Sequence, residues 1–224
     1  MNTGLDLDEL TRRTRRREFD DGLMDFVFGG FALVGGLLVA FIYSASGMKW
    51  WVTSLIRHRD LTIIGLITLI PIMVLIIEGA KRLIGRIRRA TFWRDSGFVT
   101  PLRQQASWPI NLLAAAIFIS VVIVSAALMY RGVIGPEAVF RSLVSGAGMA
   151  TGVTYFGMGV SLKLRRYQVV GLVGGLFSAG ILLTSVSFAM SWVLFGLAWG
   201  TVFFISGSWA LRLAILSFKA IDHG

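Results

Sequence analysis

A chain of 224 residues that is 55% hydrophobic and only 15% charged has too little polar surface to cover a water-soluble domain of that size. Its formal charge of +10 would suggest nucleic acid in a soluble protein, but most Lys and Arg flank apolar runs, so anionic phospholipid is expected instead and no nucleic-acid partner. There is no cysteine, which excludes disulfides, thiolate catalysis and Cys-ligated zinc.

Residues 1–22 carry eleven charges and no apolar core, so they do not read as a cleavable signal. Positions 5–21 predict a cytoplasmic helix. Asp6 caps it, Glu9 completes a capping box, and Leu5 staples to Leu10. The arginines from Arg12 to Arg17 are balanced by six acids, so this segment is not a polybasic anchor. The acids Glu18, Asp20, Asp21 and Asp25 are candidates for docking the segment against cationic side chains at the same membrane face. The stretch "DDGLMD" at 20–25 holds acids and a glycine without metal-site spacing, so no metal is expected there.

The apolar runs then predict six membrane-spanning helices, at about 23–43, 61–80, 108–130, 136–162, 169–188 and 190–211. The expected fold is all-α: a polytopic transmembrane helical bundle with both termini inside. Residues 1–22 form its charged N-terminal helix, 23–211 the transmembrane domain and 212–224 a short tail. The turn between the last two runs is so short that a single bent segment, giving five spans, stays open. Residues 47–60, "GMKWWVTSLIRHRD", are too short and charged to span, and they read as an interfacial loop. Pro71 lies in the middle of the second run and predicts a kink.

The segment that follows, 81–107, concentrates positive charge. Lys81, Arg82, Arg86, Arg88, Arg89 and Arg94 are interleaved with Leu83, Ile84 and Ile87. Helix is expected to continue a turn or two past the membrane until Gly85 and then "DSG" at 95–97 interrupt it. The apolar side chains would rest on lipid while the cations reach phosphates or carboxylates, of lipid or of an acidic partner. Farther on, Ser107 is placed to cap the third span and Pro136 to open the fourth, and Glu137 and Arg141 stand one turn apart for pairing. Seventeen of the 22 Lys and Arg fall in segments that share a side if there are six spans, which places that side in the cytoplasm.

Small residues recur four apart at Ala32/Gly36, Gly146/Ala150, Gly148/Gly152, Gly171/Gly175, Gly174/Ser178 and Gly196/Gly200, the spacing that lets helix backbones approach closely in lipid. No ionisable residue sits at the centre of a run, which argues against a pump or proton-coupled antiporter. His58 and His223 are the only histidines, and no nucleophile has a base within reach. Neither catalysis nor a cofactor is expected. Two stretches, "RTRRREFDDGL" at 13–23 and "RRATFWRDSGFV" at 88–99, resemble segments of small prokaryotic integral membrane proteins. That resemblance implies a bacterial or archaeal plasma membrane and no catalytic residues. The function expected is an accessory or scaffold-type bundle, alone or as a homo-oligomer or with a protein partner. The alternative is a permease for a small neutral or amphiphilic solute, with Pro71, Thr151, Thr154 and Tyr155 along its pathway.

Overall fold

The computed structural model describes residues 19–91 and 108–221, apart from the side chains of 66, 69, 70, 73, 81, 89–91 and 217–221. The expectations for residues 5–18, the "DSG" interruption, Arg94 and the Ser107 cap lie outside these residues. So do those for the side chains of Lys81 and Arg89.

All described regular structure is helical: α1 Leu23–Ile42, α2 Ala45–Arg57, α3 Arg59–Thr91, α4 Trp108–Tyr130, α5 Pro136–Ser161, α6 Arg165–Leu182 and α7 Phe188–Ile221. Three segments are long and apolar enough to cross a membrane, namely α1, α4 and Phe188–Leu216 within α7. The chain divides into two compact units. One contains residues up to Ala40 and from Thr100 onward; the other is Phe41–Val99.

The smaller unit is α2 and α3. Ser44 caps α2 by accepting from the Gly47 N–H at 3.0 Å. Where an interfacial loop was expected the chain is therefore helical, because a good cap precedes a run without internal Pro. The Thr62 hydroxyl donates to the carbonyls of Ser54 (3.1 Å) and His58 (2.9 Å), which ties the end of α2 to the start of α3. Helix α3 runs unbroken through Pro71 and through Gly85. The interruption expected at Gly85 does not occur. One glycine costs a helix only about 1 kcal/mol, less than the backbone hydrogen bonds of the flanking turns return.

In the larger unit α4 to α7 pack antiparallel in sequence order. A β-carbon placed on Gly157 would press on Ile110, and one on Gly146 would meet Phe118 and Val121. Between α5 and α6 the contact is backbone on backbone: a β-carbon on Gly152 would lie 2.7 Å from the Gly171 carbonyl oxygen and 2.8 Å from the Gly175 Cα. Helix α1 lies antiparallel on α7 in the same way, Gly36 facing Gly196 and the Trp192 carbonyl. These pairs fall at the small-residue spacings of the sequence, and they are contacts within one chain. The last two helices are separate, joined by residues 183–187, which removes the single-bent-segment alternative. Their turn is fastened from α5: Arg141 Nη1 donates to the Val186 carbonyl at 3.0 Å. The expected Glu137–Arg141 pair gives way to this contact, since an unpaired carbonyl at a turn offers Arg141 an acceptor already fixed in place.

Candidate functional site: a buried polar cluster

The main core of the larger unit gathers at the end of the bundle where α1 and α6 begin. Leu162, Leu164, Tyr167, Val170, Trp199 and Phe203 form it, with Phe28, Tyr155 and Phe195 packed around them. The chain reaches this core through a tight turn after α5. Leu164 N–H donates to the Gly159 carbonyl at 2.8 Å and Lys163 N–H to the Val160 carbonyl at 3.2 Å. This is the Schellman closure, with Lys163 holding the left-handed conformation (φ 55°) that glycine ordinarily supplies. Because Leu162 and Leu164 are pulled inward, Lys163 and Arg165 point out, and the next turn carries Arg166 and Tyr167 to the core.

Against this core the fold buries a carboxylate. Asp25, third residue of α1, has no exposed surface. Its position in the first turn suits the positive end of the helix dipole. One carboxylate oxygen accepts the Tyr167 hydroxyl; the other accepts the Ser206 hydroxyl at 2.7 Å. Arg166 Nη1 stands 3.6 Å from that second oxygen, and the guanidinium carbon lies 4.9 Å from the centre of the Tyr167 ring. A buried ion needs both a counter-charge and hydrogen bonds to offset its desolvation. Asp25 has both. Arg166 has only the charge: Nε, Nη1 and Nη2 are all shielded from solvent and none has a hydrogen-bond acceptor. The cluster joins α1, α6 and α7. Gly22, with φ 71° and so close to Gly207 that a side chain there would strike its carbonyl, lets α1 begin at this depth.

A second polar contact lies deeper. The Trp199 indole N–H donates to the Ser178 hydroxyl at 3.0 Å, and that hydroxyl donates to the Gly174 carbonyl at 2.8 Å. Ser145 in turn donates to the Ser178 carbonyl, so α5, α6 and α7 are linked through one serine.

The expected site residues are dispersed. Asp25 is the centre of the cluster. Asp21 is buried and accepts from the Leu23 N–H at 3.0 Å, capping α1. Asp20 is exposed. Glu18 lies outside the described residues. Arg82 and Arg86 are exposed on α3, while Arg88 is only 6% exposed and so is not part of an open basic face. Pro71 belongs to a different unit from Thr151, Thr154 and Tyr155. The threonine hydroxyls donate to the carbonyls of Ala147 (2.8 Å) and Ala150 (3.0 Å) on their own helix. Tyr155 is packed among Phe28, Trp199 and Phe203, its ring centre 4.8 Å from that of Phe203.

Arg166 and Tyr167 were not singled out in the sequence, and Ser206 was legible only as one more hydroxyl inside an apolar run. The signal for them was indirect: an acid three residues inside an apolar run needs a buried partner. Between α6 and α7 there is also a groove of about 710 Å³, lined by Val173, Phe177, Leu194, Ala198 and other apolar side chains, with Thr184 and Thr201 at its walls. Its lining suits hydrocarbon. No protein-family model, curated protein or solved structure matches the chain.

Proposed function

We propose that this chain is a non-enzymatic multi-pass membrane protein of the accessory or scaffold kind, in a prokaryotic plasma membrane, whose basic cytoplasmic side binds anionic phospholipid or an acidic partner. The observation that carries this reading is the filled interior. Backbones touch at Gly36/Gly196 and Gly152/Gly175, the Thr151 and Thr154 hydroxyls expected along a pathway are spent within their own helix, and the Tyr155 ring is packed among Phe28, Trp199 and Phe203. A rigid interior of this kind suits a protein that holds a surface in place.

Six spans with both termini inside fit the larger unit. Asp25 and Ser206 meet, Gly22 meets Gly207, and Ile110 meets Gly157, so α1 and α4 begin at the same end. On this reading the chain between them crosses once more. Helix α3, with 33 residues, is about 50 Å long and suffices. The end that holds the starts of α1 and α4 carries Lys163, Arg165, Arg166 and Arg212; the opposite end carries Arg131 and Arg141. The bias of positive charge toward the inside supports the first of these as the cytoplasmic end.

The natural absence of cysteine makes the test direct. Lys163→Cys should react with a membrane-impermeant maleimide only after cells are permeabilised, and Ser187→Cys without it. Both positions reacting from one side would overturn the topology. For the function, purification in native lipid followed by mass spectrometry should find anionic phospholipid or a protein enriched over bulk membrane. A protein that carries neither, yet speeds solute flux into liposomes, would replace the scaffold reading with a permease.

A further inference from the structure

We propose that α2 is an in-plane membrane anchor. It lies in the lipid headgroup layer at the face where α1 ends, with Met48, Val52 and Ile56 inserted toward the acyl chains and Lys49 and Arg57 at the phosphates. The proposal goes beyond the reading above, and it holds whichever end of the bundle is cytoplasmic.

Three observations converge on this helix. First, chain continuity fixes its depth. Helix α1 is long and apolar enough to cross a membrane, and its 20 residues span about 30 Å, the thickness of the hydrocarbon. Only Tyr43 and Ser44 separate its last residue from α2. The Ser44 hydroxyl donates to the Phe41 carbonyl at 2.7 Å, and the Ser44 backbone is extended (ψ 159°). Gly47 sits so close to the same carbonyl that a side chain there would strike it. The chain thus leaves the line of α1 at once and starts α2 at the hydrocarbon boundary. The other end of α2 runs directly into α3, whose apolar stretch opens at Leu61.

Second, the surface of α2 is divided lengthwise. Residues four apart share one face of a helix. Met48, Val52 and Ile56 form one stripe, and all three are exposed, Ile56 at 78%. Lys49, Thr53 and Arg57 form the next stripe, about 100° round the helix, and are exposed as well. Gly47, Trp51, Ser54 and Leu55 are buried or half-buried, on the side where Thr62 of α3 donates to the Ser54 carbonyl. An open apolar stripe beside an open basic one matches a boundary between hydrocarbon and phosphate. Trp50, away from the apolar stripe, leans on Trp51 with ring centres 6.1 Å apart, in the layer that favours indole.

Third, length and charge leave this helix no other place in a bilayer. Its 13 residues make about 20 Å, too short to cross, and Lys49 and Arg57 oppose burial in hydrocarbon. The occupant of the apolar stripe is therefore the acyl region of the leaflet beneath it. Held there, α2 sets how deep the connection from α1 to α3 sits.

Because the chain has no cysteine, a spin label can be placed at one position at a time in the full protein, in nanodiscs of phosphatidylcholine and phosphatidylglycerol. Labels on Met48→Cys, Val52→Cys and Ile56→Cys should collide more with oxygen, which concentrates in hydrocarbon, than with a water-soluble nickel chelate. Labels on Lys49→Cys, Thr53→Cys and Arg57→Cys should show the reverse preference. If the nickel chelate reaches all six positions equally, α2 lies in water and the anchor is overturned. If positions 48, 52 and 56 are shielded from both reagents, a protein surface such as a second copy covers the stripe, and the anchor is overturned again. Met48→Ser/Val52→Ser/Ile56→Ser removes the apolar stripe and leaves the α3 side intact. It should raise amide exchange across 47–57 about tenfold while α5 and α6 exchange as in wild type. Unchanged exchange in α2 would show that the stripe holds nothing.

Discussion

Glycines of the two units make opposite use of the same residue. In the bundle Gly36, Gly152 and Gly174 leave no room for a single added carbon; at Gly174 it would lie 2.6 Å from the Trp199 ring. In α3, Gly65, Gly79 and Gly85 have nothing within 4 Å of where a β-carbon would stand. The charges divide in a similar way. Asp25 and Arg166 face each other in the bundle interior, while Arg82 and Arg86 of α3 are exposed. Close backbone approach is therefore a property of the partner helix as much as of the glycine. The larger unit is held by shape and by the Asp25–Arg166 contact, which cannot be lost piecemeal.

The largest effect should come from breaking that contact on one side. Asp25→Ala leaves the Arg166 charge buried without an opposing carboxylate, at a cost of about 3–5 kcal/mol. Unfolding in mixed micelles should show it. Asp25→Leu/Arg166→Met removes both charges and should recover most of the loss, because an apolar pair of similar volume needs no desolvation. Arg82→Ala on α3 should leave the unfolding midpoint where it was. A double variant as unstable as Asp25→Ala would mean that Arg166 does not depend on Asp25, and the contrast between the units would lose its electrostatic half.

Next in size is a backbone collision. Gly152→Val puts its first carbon 2.7 Å from the Gly171 carbonyl oxygen, and neither helix can give way without parting the α5–α6 seam. The cost should be about 3 kcal/mol, at the upper end of ordinary overpacking. The same unfolding assay checks it. A variant within error of wild type would show that the seam is looser than the distances say.

How far the sequence announced these features depends on the period each one follows. The end points of α4 and the start of α5 at Pro136 were legible, since a run of apolar residues bounded by Trp108 and by a Gly-Pro step fixes them locally. The small-residue pairs were legible as a spacing, but whether they touched within one chain or between chains was not, because a spacing names no partner. The helix over α2 was hidden by its charges, although Ser44 was there to cap it. The polar cluster was the least visible. Asp25, Tyr167 and Ser206 are separated by more than a hundred residues at the widest, and what joins them is that α1 and α6 begin, and α7 passes, at one level of the bundle. Arg166 looked like one more cation of a cytoplasmic turn. Only the inward pull of Leu162 and Leu164 turns it toward the core.

A smaller effect separates shape from hydrogen bonding within the bundle. Ser178→Ala keeps the close packing against Gly148 but takes away the acceptor of the Trp199 indole N–H. The indole is then buried with an unsatisfied donor, which costs about 1–2 kcal/mol. Trp199 fluorescence should report the change of environment along with the stability loss. Ser178→Gly removes the same acceptor and also opens a void, so it should lose more than the alanine variant. Equal losses would assign the whole effect to the hydroxyl.

The smallest effect has the opposite sign. Gly79 of α3 is exposed, and an added methyl group there meets nothing. Alanine at such a position gains helix propensity and restricts the unfolded chain, so Gly79→Ala should stabilise α3 by about 0.5–1 kcal/mol. Because α3 belongs to the smaller unit, the gain should appear in hydrogen exchange of the amides around 75–85 and leave those of α5 and α6 unchanged. The reverse outcome is the instructive one. If Gly79→Ala destabilises, then a surface approaches α3 as closely as Gly171 approaches Gly152, and the glycines of the two units are doing the same thing after all. In that case the open space around Gly79 is filled in the membrane by another chain, and the difference between the units is one of partner and not of kind.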